Sequence, residues 1–209
     1  MPRPRTLKII EIFASLQGEG LRQGEPQIFI RFSGCNLKCS FCDTRYAWNG
    51  GRELAPSQAL REIHKIRNRH PADWACLTGG EPLLQDVSSL VKDLKREELK
   101  IQVETNGTFY RPMAVDWYTV SPKPPRYSYR PEYRKRAKEV KLIVTKSLGF
   151  GTLKRLRKEF PGRIPLLLQP ESNAPWSVAK SLRILSRAQK EGLKNIRFSA
   201  QLHKLYGWR

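Results

Sequence analysis

Three cysteines stand at Cys35, Cys39 and Cys42, a C-x3-C-x2-C spacing directly after the strand-like run Ile28-Phe29-Ile30-Arg31-Phe32. Thiolates are the usual ligands of iron–sulfur clusters, and a cubane has four irons to fill. Three close thiolates leave one iron open, and an open position separates a catalytic metal site from a closed structural one. A zinc knuckle would ask for a second Cys or His pair nearby, and none stands there. Cys76 lies in the short apolar run Trp74-Ala75-Cys76-Leu77-Thr78, where a buried inert thiol is expected. Disulfides are not expected, since Met1-Pro2-Arg3-Pro4 leads into no apolar leader core.

Further polar chemistry recurs where apolar runs end. Thr78-Gly79-Gly80-Glu81-Pro82 offers two glycines for close backbone approach and a carboxylate for an ammonium group, although Gly-Gly alone also suits a plain turn. Glu104-Thr105-Asn106-Gly107 and Ser121-Pro122-Lys123 close two later runs, and each also fits ordinary turn chemistry. Strand periodicity puts residues 29, 31, 33 and 35 on one face, so Arg31 shares its face with Cys35. A guanidinium inside an apolar strand needs an anion, and its planar fork suits a carboxylate. That anion is either a neighbouring carboxylate, Glu11 or Glu19, or the carboxylate of a substrate.

The elements that must position these groups alternate along the chain. Short β-branched runs at 8–13, 28–33, 74–78, 101–104, 117–120, 140–144, 165–169 and 196–199 read as strands. Amphipathic stretches at 57–69, 87–96, 151–159 and 177–191 read as helices, with Leu60, Ile63, Ile66 and Leu90, Leu94 at helical spacing. Such alternation predicts an α/β fold with a mostly parallel sheet, open or curved into a partial barrel, whose ligands gather at the carboxyl ends of the strands. At 209 residues the chain suits a single domain, 1–209. No apolar stretch is long enough to cross a bilayer, which predicts a cytoplasmic protein without a membrane partner.

Lys and Arg number 39 against 19 Asp and Glu, a net charge of +20. The cations gather at 92–100, 126–138 and 154–158, the second of these overlapping a Pro-rich stretch at 122–131. Clustered cations can bind nucleic-acid phosphates, but interspersed Glu residues and the lack of an RNA-binding motif favour solvated helix faces.

The cysteine loop followed by Gly79-Gly80-Glu81 resembles the radical S-adenosylmethionine (SAM) enzymes, in which SAM chelates the open iron of a 4Fe–4S cluster. Ser15-Leu16-Gln17-Gly18-Glu19-Gly20, Cys42-Asp43-Thr44 and Gln201-Leu202-His203-Lys204 narrow the resemblance to the 7-carboxy-7-deazaguanine synthase family, discontinuously from Ile9 to the C-terminus. The resemblance implies a partial (β/α) barrel with reduced helices, and SAM, the cluster and Mg²⁺ as cofactors. It implies reductive SAM cleavage to a 5′-deoxyadenosyl radical, which takes a hydrogen from C6 of 6-carboxy-5,6,7,8-tetrahydropterin. The rearranged ring contracts and loses ammonia to give 7-carboxy-7-deazaguanine, the precursor of queuosine-type bases. Carried over by position, Cys35, Cys39 and Cys42 hold the cluster and Thr44 the Mg²⁺. Gly79, Gly80 and Glu81 then meet SAM, as do Ser121, Pro122, Lys123 and Gln169. Phe41 lies near adenine, with core packing as its alternative. Leu16, Gln17, Gly18, Arg31, Thr78, His203 and Arg209 line the pterin site, with a structural hydrogen-bonding role as the alternative for His203. An electron donor such as flavodoxin and a homodimer are also implied, the second subunit or the 121–138 segment covering the site. A glycyl-radical-enzyme activase shares the cysteine loop, but Arg31, the 16–20 segment and Cys-Asp-Thr argue against it. The rival from another class is an RNA-binding protein with zinc in the cysteine loop.

Overall fold

The computed structural model describes residues 6–208. The chain divides into two compact units. Residues 6–16, Glu25–Thr105 and Phe109–Trp117 form the first; Gln17–Gly24, Asn106–Thr108 and residues 118–208 form the second.

In the first unit, strands β1 (Leu7–Leu16), β2 (Pro26–Phe32), β3 (Arg52–Leu54), β4 (Trp74–Gly79) and β5 (Lys100–Thr105) lie in the order β3-β1-β2-β4-β5. β2, β4 and β5 are parallel, with Ile28 opposite Ala75 and Ala75 opposite Ile101. Alternate side chains on these strands, Ile28, Ile30, Phe32, Ala75, Leu77, Ile101 and Val103, are fully buried. Helices α1 (Pro56–Arg67) and α2 (Ser88–Arg96) add Ala59, Ile63, Leu90 and Leu94 to this core. α1 begins at a Pro in its first turn, and Gln58 Oε1 accepts from Ala55 N at 2.7 Å. Within the expected mostly parallel arrangement, β1 runs antiparallel to both β2 and β3, joined to β2 without a crossover α-helix. An irregularity in β1 between Ile9 and Glu11 shifts the register so that Glu11 faces Arg31.

The second unit repeats the parallel pattern with β6 (Trp117–Val120), β7 (Ala137–Val144), β8 (Leu166–Pro170) and β9 (Ile196–Phe198), in sequence order. Val140, Leu142, Val144, Leu166 and Leu168 are buried on one face. Helix α4 (Phe150–Glu159) and helix α5 (Pro175–Lys190) supply Leu153, Leu156, Ile184 and Ala188 to the core. The small buried Ser177 lets α5 come close to the sheet: its hydroxyl donates to Val144 O at 2.6 Å. Between β6 and β7 the only helix is the four-residue α3 (Tyr133–Arg136). The basic 121–138 segment is nevertheless anchored within this unit. Tyr133 is buried edge-on against Tyr118, and Tyr129 stacks on Phe160 with ring centroids 4.6 Å apart. A last short helix, α6 (Leu202–Tyr206), follows β9.

Candidate functional site

β2 ends at Phe32, and Gly34, at φ +96°, turns the chain into the cysteine loop. The loop start is pinned from two sides. Gly34 N donates to Ala47 O at 2.9 Å, and Glu81 N donates to Gly34 O at 2.7 Å. Cys35, Cys39 and Cys42 are reduced, half-buried thiols, whereas Cys76 is fully buried in β4, as its apolar run predicts. Three accessible thiols on a loop without regular structure match the donor set of a 4Fe–4S cluster with one open iron, and Cys76 stays inert. Phe41 is half-buried beside Cys42. Thr44 Oγ1 donates to Asp43 Oδ1 at 3.0 Å, placing a hydroxyl and a carboxylate together just past the last cysteine.

The Gly-Gly-Glu segment lies against this loop. A Cβ on Gly80 would stand 2.0 Å from Gly34 O, and one on Gly79 2.2 Å from Phe32 O. Gly79 also sits at φ +130°. Both positions therefore require glycine for the backbone to approach β2 this closely. Glu81 is fully buried, and its Oε1 accepts from Leu83 N at 3.1 Å and Thr105 Oγ1 at 2.9 Å. This ties the carboxylate to the end of β5 as well as to its own turn.

Arg31 resolves toward the local ion pair among its two readings. Its Nε lies 2.7 Å from Glu11 Oε1, which also accepts from Tyr46 Oη at 2.9 Å. The guanidinium carbon lies 5.6 Å from the Phe13 ring centroid and 5.7 Å from that of Tyr46. Phe13 stacks on Phe29. Thr78 is the cross-strand partner of Arg31, and Leu16, at the far end of β1, is exposed.

The other expected residues lie in the second unit. Gln17 and Gly18 are buried. Leu202 N donates to Gly18 O at 2.9 Å, and the His203 ring lies so close to Gly18 that a Cβ there would collide with Nδ1. Glu19 pairs with Lys141 and accepts from Gln201 Nε2 at 2.7 Å. Burial pushes the Glu19 carboxyl up, but the charge and hydrogen bond of Lys141, the Gln201 amide and nearby His203 together lower it to about 2. Leu21 N donates to the buried Glu139 at 2.7 Å, and Thr119 Oγ1 donates to the same carboxylate at 2.7 Å. Ser121 and Pro122 are buried at the end of β6; Lys123 Nζ donates to Ser121 Oγ at 2.6 Å, which itself donates to Lys141 O. Gln169 is 1% exposed near the end of β8, and its Oε1 has no hydrogen-bond partner among the described residues. A buried amide oxygen without a partner suits a ligand donor. Arg209 lies outside the described residues.

Glu11 is one of the two carboxylates expected beside Arg31, whereas Tyr46, Glu139 and Lys141 are polar groups that reading by motif overlooks. Glu139 and Lys141 did carry a signal, two charges spaced by two on one face of a strand that ends in an apolar run. Arg31 and Glu19 thus take different partners, Glu11 and Lys141.

The Radical SAM superfamily signature matches residues 29–203. The chain is 36% identical over 208 residues to the 7-carboxy-7-deazaguanine synthase of Aquifex aeolicus, covering 94% of this chain and 91% of that protein. It is 34% identical to the enzyme of the same name from Synechocystis sp., covering 96% and 93%. The crystal structure of QueE from Escherichia coli matches with a TM-score of 0.79 at 28% identity, covering 95% of each chain. Streptococcus suis SuiB shares the fold alone, at a TM-score of 0.58 and 15% identity over 80% of this chain and 47% of its own. The fold class is the radical SAM type of partial (β/α) barrel with reduced helices. A cysteine loop pinned to Gly-Gly-Glu, together with full-length similarity, establishes that the chain belongs to the radical SAM superfamily and, within it, to the 7-carboxy-7-deazaguanine synthase family.

Proposed function

We propose that this chain converts 6-carboxy-5,6,7,8-tetrahydropterin to 7-carboxy-7-deazaguanine with loss of ammonia, as a carbon–nitrogen lyase of queuosine-type base synthesis. The observation that carries the reading is Arg31: a fork-shaped cation on β2, engaged among the described residues through Nε, on the strand that leads into the cysteine loop. When bound, the 4Fe–4S cluster and SAM supply the 5′-deoxyadenosyl radical that opens the reaction. Cys35, Cys39 and Cys42 would hold the cluster, and Thr44 would offer its hydroxyl to Mg²⁺. A hydroxyl is a weak ligand, so substrate oxygens and waters would complete that shell. Gly79, Gly80, Glu81, Phe41, Ser121, Pro122, Lys123 and Gln169 are the residues proposed to receive SAM.

Arg31 would take the pterin carboxylate through its two Nη groups while Glu11 fixes Nε. Bidentate pairing orients as well as binds. Leu16, Thr78, Gln17 and Gly18 would line the pterin, with His203 held against Gly18. The terminal residue Arg209 is assigned to the same surface from sequence alone. We read both units as one catalytic domain, supported by a single family match that draws on segments of each. A reducing compartment suits exposed thiols, so the reading places the protein in the cytoplasm; no described helix is long and apolar enough to cross a membrane. A flavodoxin-like electron donor and a homodimer complete it.

The test is an anaerobic incubation of reconstituted protein with SAM, reductant, Mg²⁺ and the pterin, followed by mass spectrometry. The deazaguanine acid and 5′-deoxyadenosine should both form, and Cys39→Ala protein should form neither. Deoxyadenosine without the acid would assign another substrate and refute this reading.

A further inference from the structure

In the second unit, a surface groove of about 550 Å³ opens between the segment after β7, the start of α4 and one face of α5. Its walls carry four cations, Lys146, Lys180, Arg183 and Arg187, and two aromatic rings, Phe150 and Trp176; no carboxylate lines it. Trp176, Lys180, Arg183 and Arg187 fall at i, i+4, i+7 and i+11 of α5, so they form one stripe along the helix. That stripe runs roughly 16 Å at the helical rise.

Several observations separate this face from an ordinary solvated helix. A solvated face usually mixes both signs of charge, whereas the sixteen residues of α5 include Lys180, Arg183, Arg187 and Lys190 and no acid. Trp176 is 39% exposed, although an indole of that size is normally turned inward. The Arg187 guanidinium carbon lies 4.2 Å from the Phe150 ring centroid, a stacked cation over an aromatic face. Lys180 is fixed rather than mobile, its Nζ donating to Thr145 O at 2.9 Å and Lys146 O at 2.7 Å. Burial, and then the Arg183 charge, lower its pKa. Arg187 Nε donates to Glu191, a carboxylate outside the groove lining that also accepts from Lys154 Nζ.

Cations that track a backbone, interleaved with rings on which bases stack, are the means by which proteins hold single-stranded nucleic acid without reading its sequence. We infer that this groove binds a short single-stranded nucleic-acid segment, the phosphates on Lys146, Arg183 and Arg187 and a base stacked on Trp176. The alternative occupant, an acidic protein surface, would use the same cations but would have little need of the exposed indole. The +20 charge supplies long-range attraction, and the groove gives it a place to act.

The experiment follows fluorescence anisotropy of a labelled oligouridylate of roughly 15 nucleotides, titrated with intact protein at several salt concentrations. Saturable binding is expected, weakening as salt rises. Arg183→Glu with Arg187→Glu should lower affinity at least about tenfold. It should also flatten the salt slope by about 1.4, since each phosphate contact on a single strand contributes roughly 0.7. Trp176→Ala should lower affinity roughly five- to hundredfold while leaving the slope unchanged, the mark of lost stacking rather than lost charge. Lys65→Glu on α1 with Arg69→Glu in the turn after it makes the same change in net charge outside the groove and should alter affinity less than about twofold. Equal losses from the two charge-reversed pairs would show that diffuse charge, not the groove, binds RNA. Absence of saturable binding, or a Trp176→Ala protein that binds RNA normally, would overturn the assignment. So would a labelled polyglutamate that binds the groove in place of RNA. Should the paired α5 substitutions prevent folding, Trp176→Ala and its unchanged slope decide the matter.

Discussion

Arg31 spends one nitrogen on Glu11 and keeps two. The Nε pairing at 2.7 Å and the nearby Phe13 and Tyr46 rings hold the guanidinium, and a fixed fork suits a carboxylate. Arg31→Ala should therefore raise KM for the pterin by roughly ten- to hundredfold, about 1.5–3 kcal/mol, while uncoupled SAM cleavage continues. Steady-state kinetics with both products monitored would check this, and an unchanged KM would remove Arg31 from the substrate carboxylate. Glu19 carries a different expectation. Its carboxyl is lowered from 4.5 to about 2, so the ionised form stabilises the fold at all pH values above about 4.5. That contribution, at most about 3 kcal/mol, is lost as pH falls from about 4.5 toward about 2. Glu19→Gln should be less stable at neutral pH, because the buried Lys141 loses the Glu19 carboxylate, and should lose less stability across that acid window. Urea unfolding of cluster-free protein at pH 7, 4.5 and 3 measures both effects; parallel curves for the two proteins would contradict the assignment.

At the scale of elements, the decisive geometry is the junction of the β2 and β4 ends. Glycine at 79 and 80 lets the Gly-Gly-Glu backbone bond directly to Phe32 and Gly34. A methyl group on Gly80 would meet a backbone oxygen at 2.0 Å, with no flexible side chain able to give way. Gly80→Ala should lower the melting temperature by several degrees and abolish SAM binding, read by thermal denaturation and by equilibrium dialysis with SAM. A variant that melts and binds SAM like the parent would disprove the tight junction. The long elements were legible in sequence because each had to bury a face. Ile28, Ile30 and Phe32 alternate as strand residues, and Leu90 and Leu94 repeat as helix residues. β3, α3 and α6 were not legible, since they span three, four and five residues and are rich in charge or polar groups. Propensity says little over such lengths, and pairing with a neighbour decides them. The antiparallel β1 also escaped the alternation argument, because nothing in its own residues records which neighbour it pairs with. Within the candidate site, the cysteine spacing was legible because ligand count is local. For Arg31 the choice narrowed to Glu11, Glu19 or a substrate carboxylate without being decided, and the partner of Glu19 was not legible, because Lys141 lies 122 residues away.

For the whole molecule, two compact units share one chain that passes between them more than once. Gln17–Gly24 and Asn106–Thr108 belong with the second unit although their flanking residues belong with the first. Neither unit is a continuous stretch of sequence, so neither is expected to unfold alone. Calorimetry should give one cooperative transition with matching calorimetric and van't Hoff enthalpies; two resolved transitions would contradict the single-domain reading. The radical SAM fold and family follow from similarity along nearly the entire chain, and the specific reaction is the claim that most needs direct proof. The measurement is a reaction with pterin deuterated at C6, followed by mass spectrometry of both products. Deuterium in 5′-deoxyadenosine and formation of 7-carboxy-7-deazaguanine are expected. Deoxyadenosine without deuterium, or the pterin recovered unchanged beside cleaved SAM, would contradict the proposed reaction.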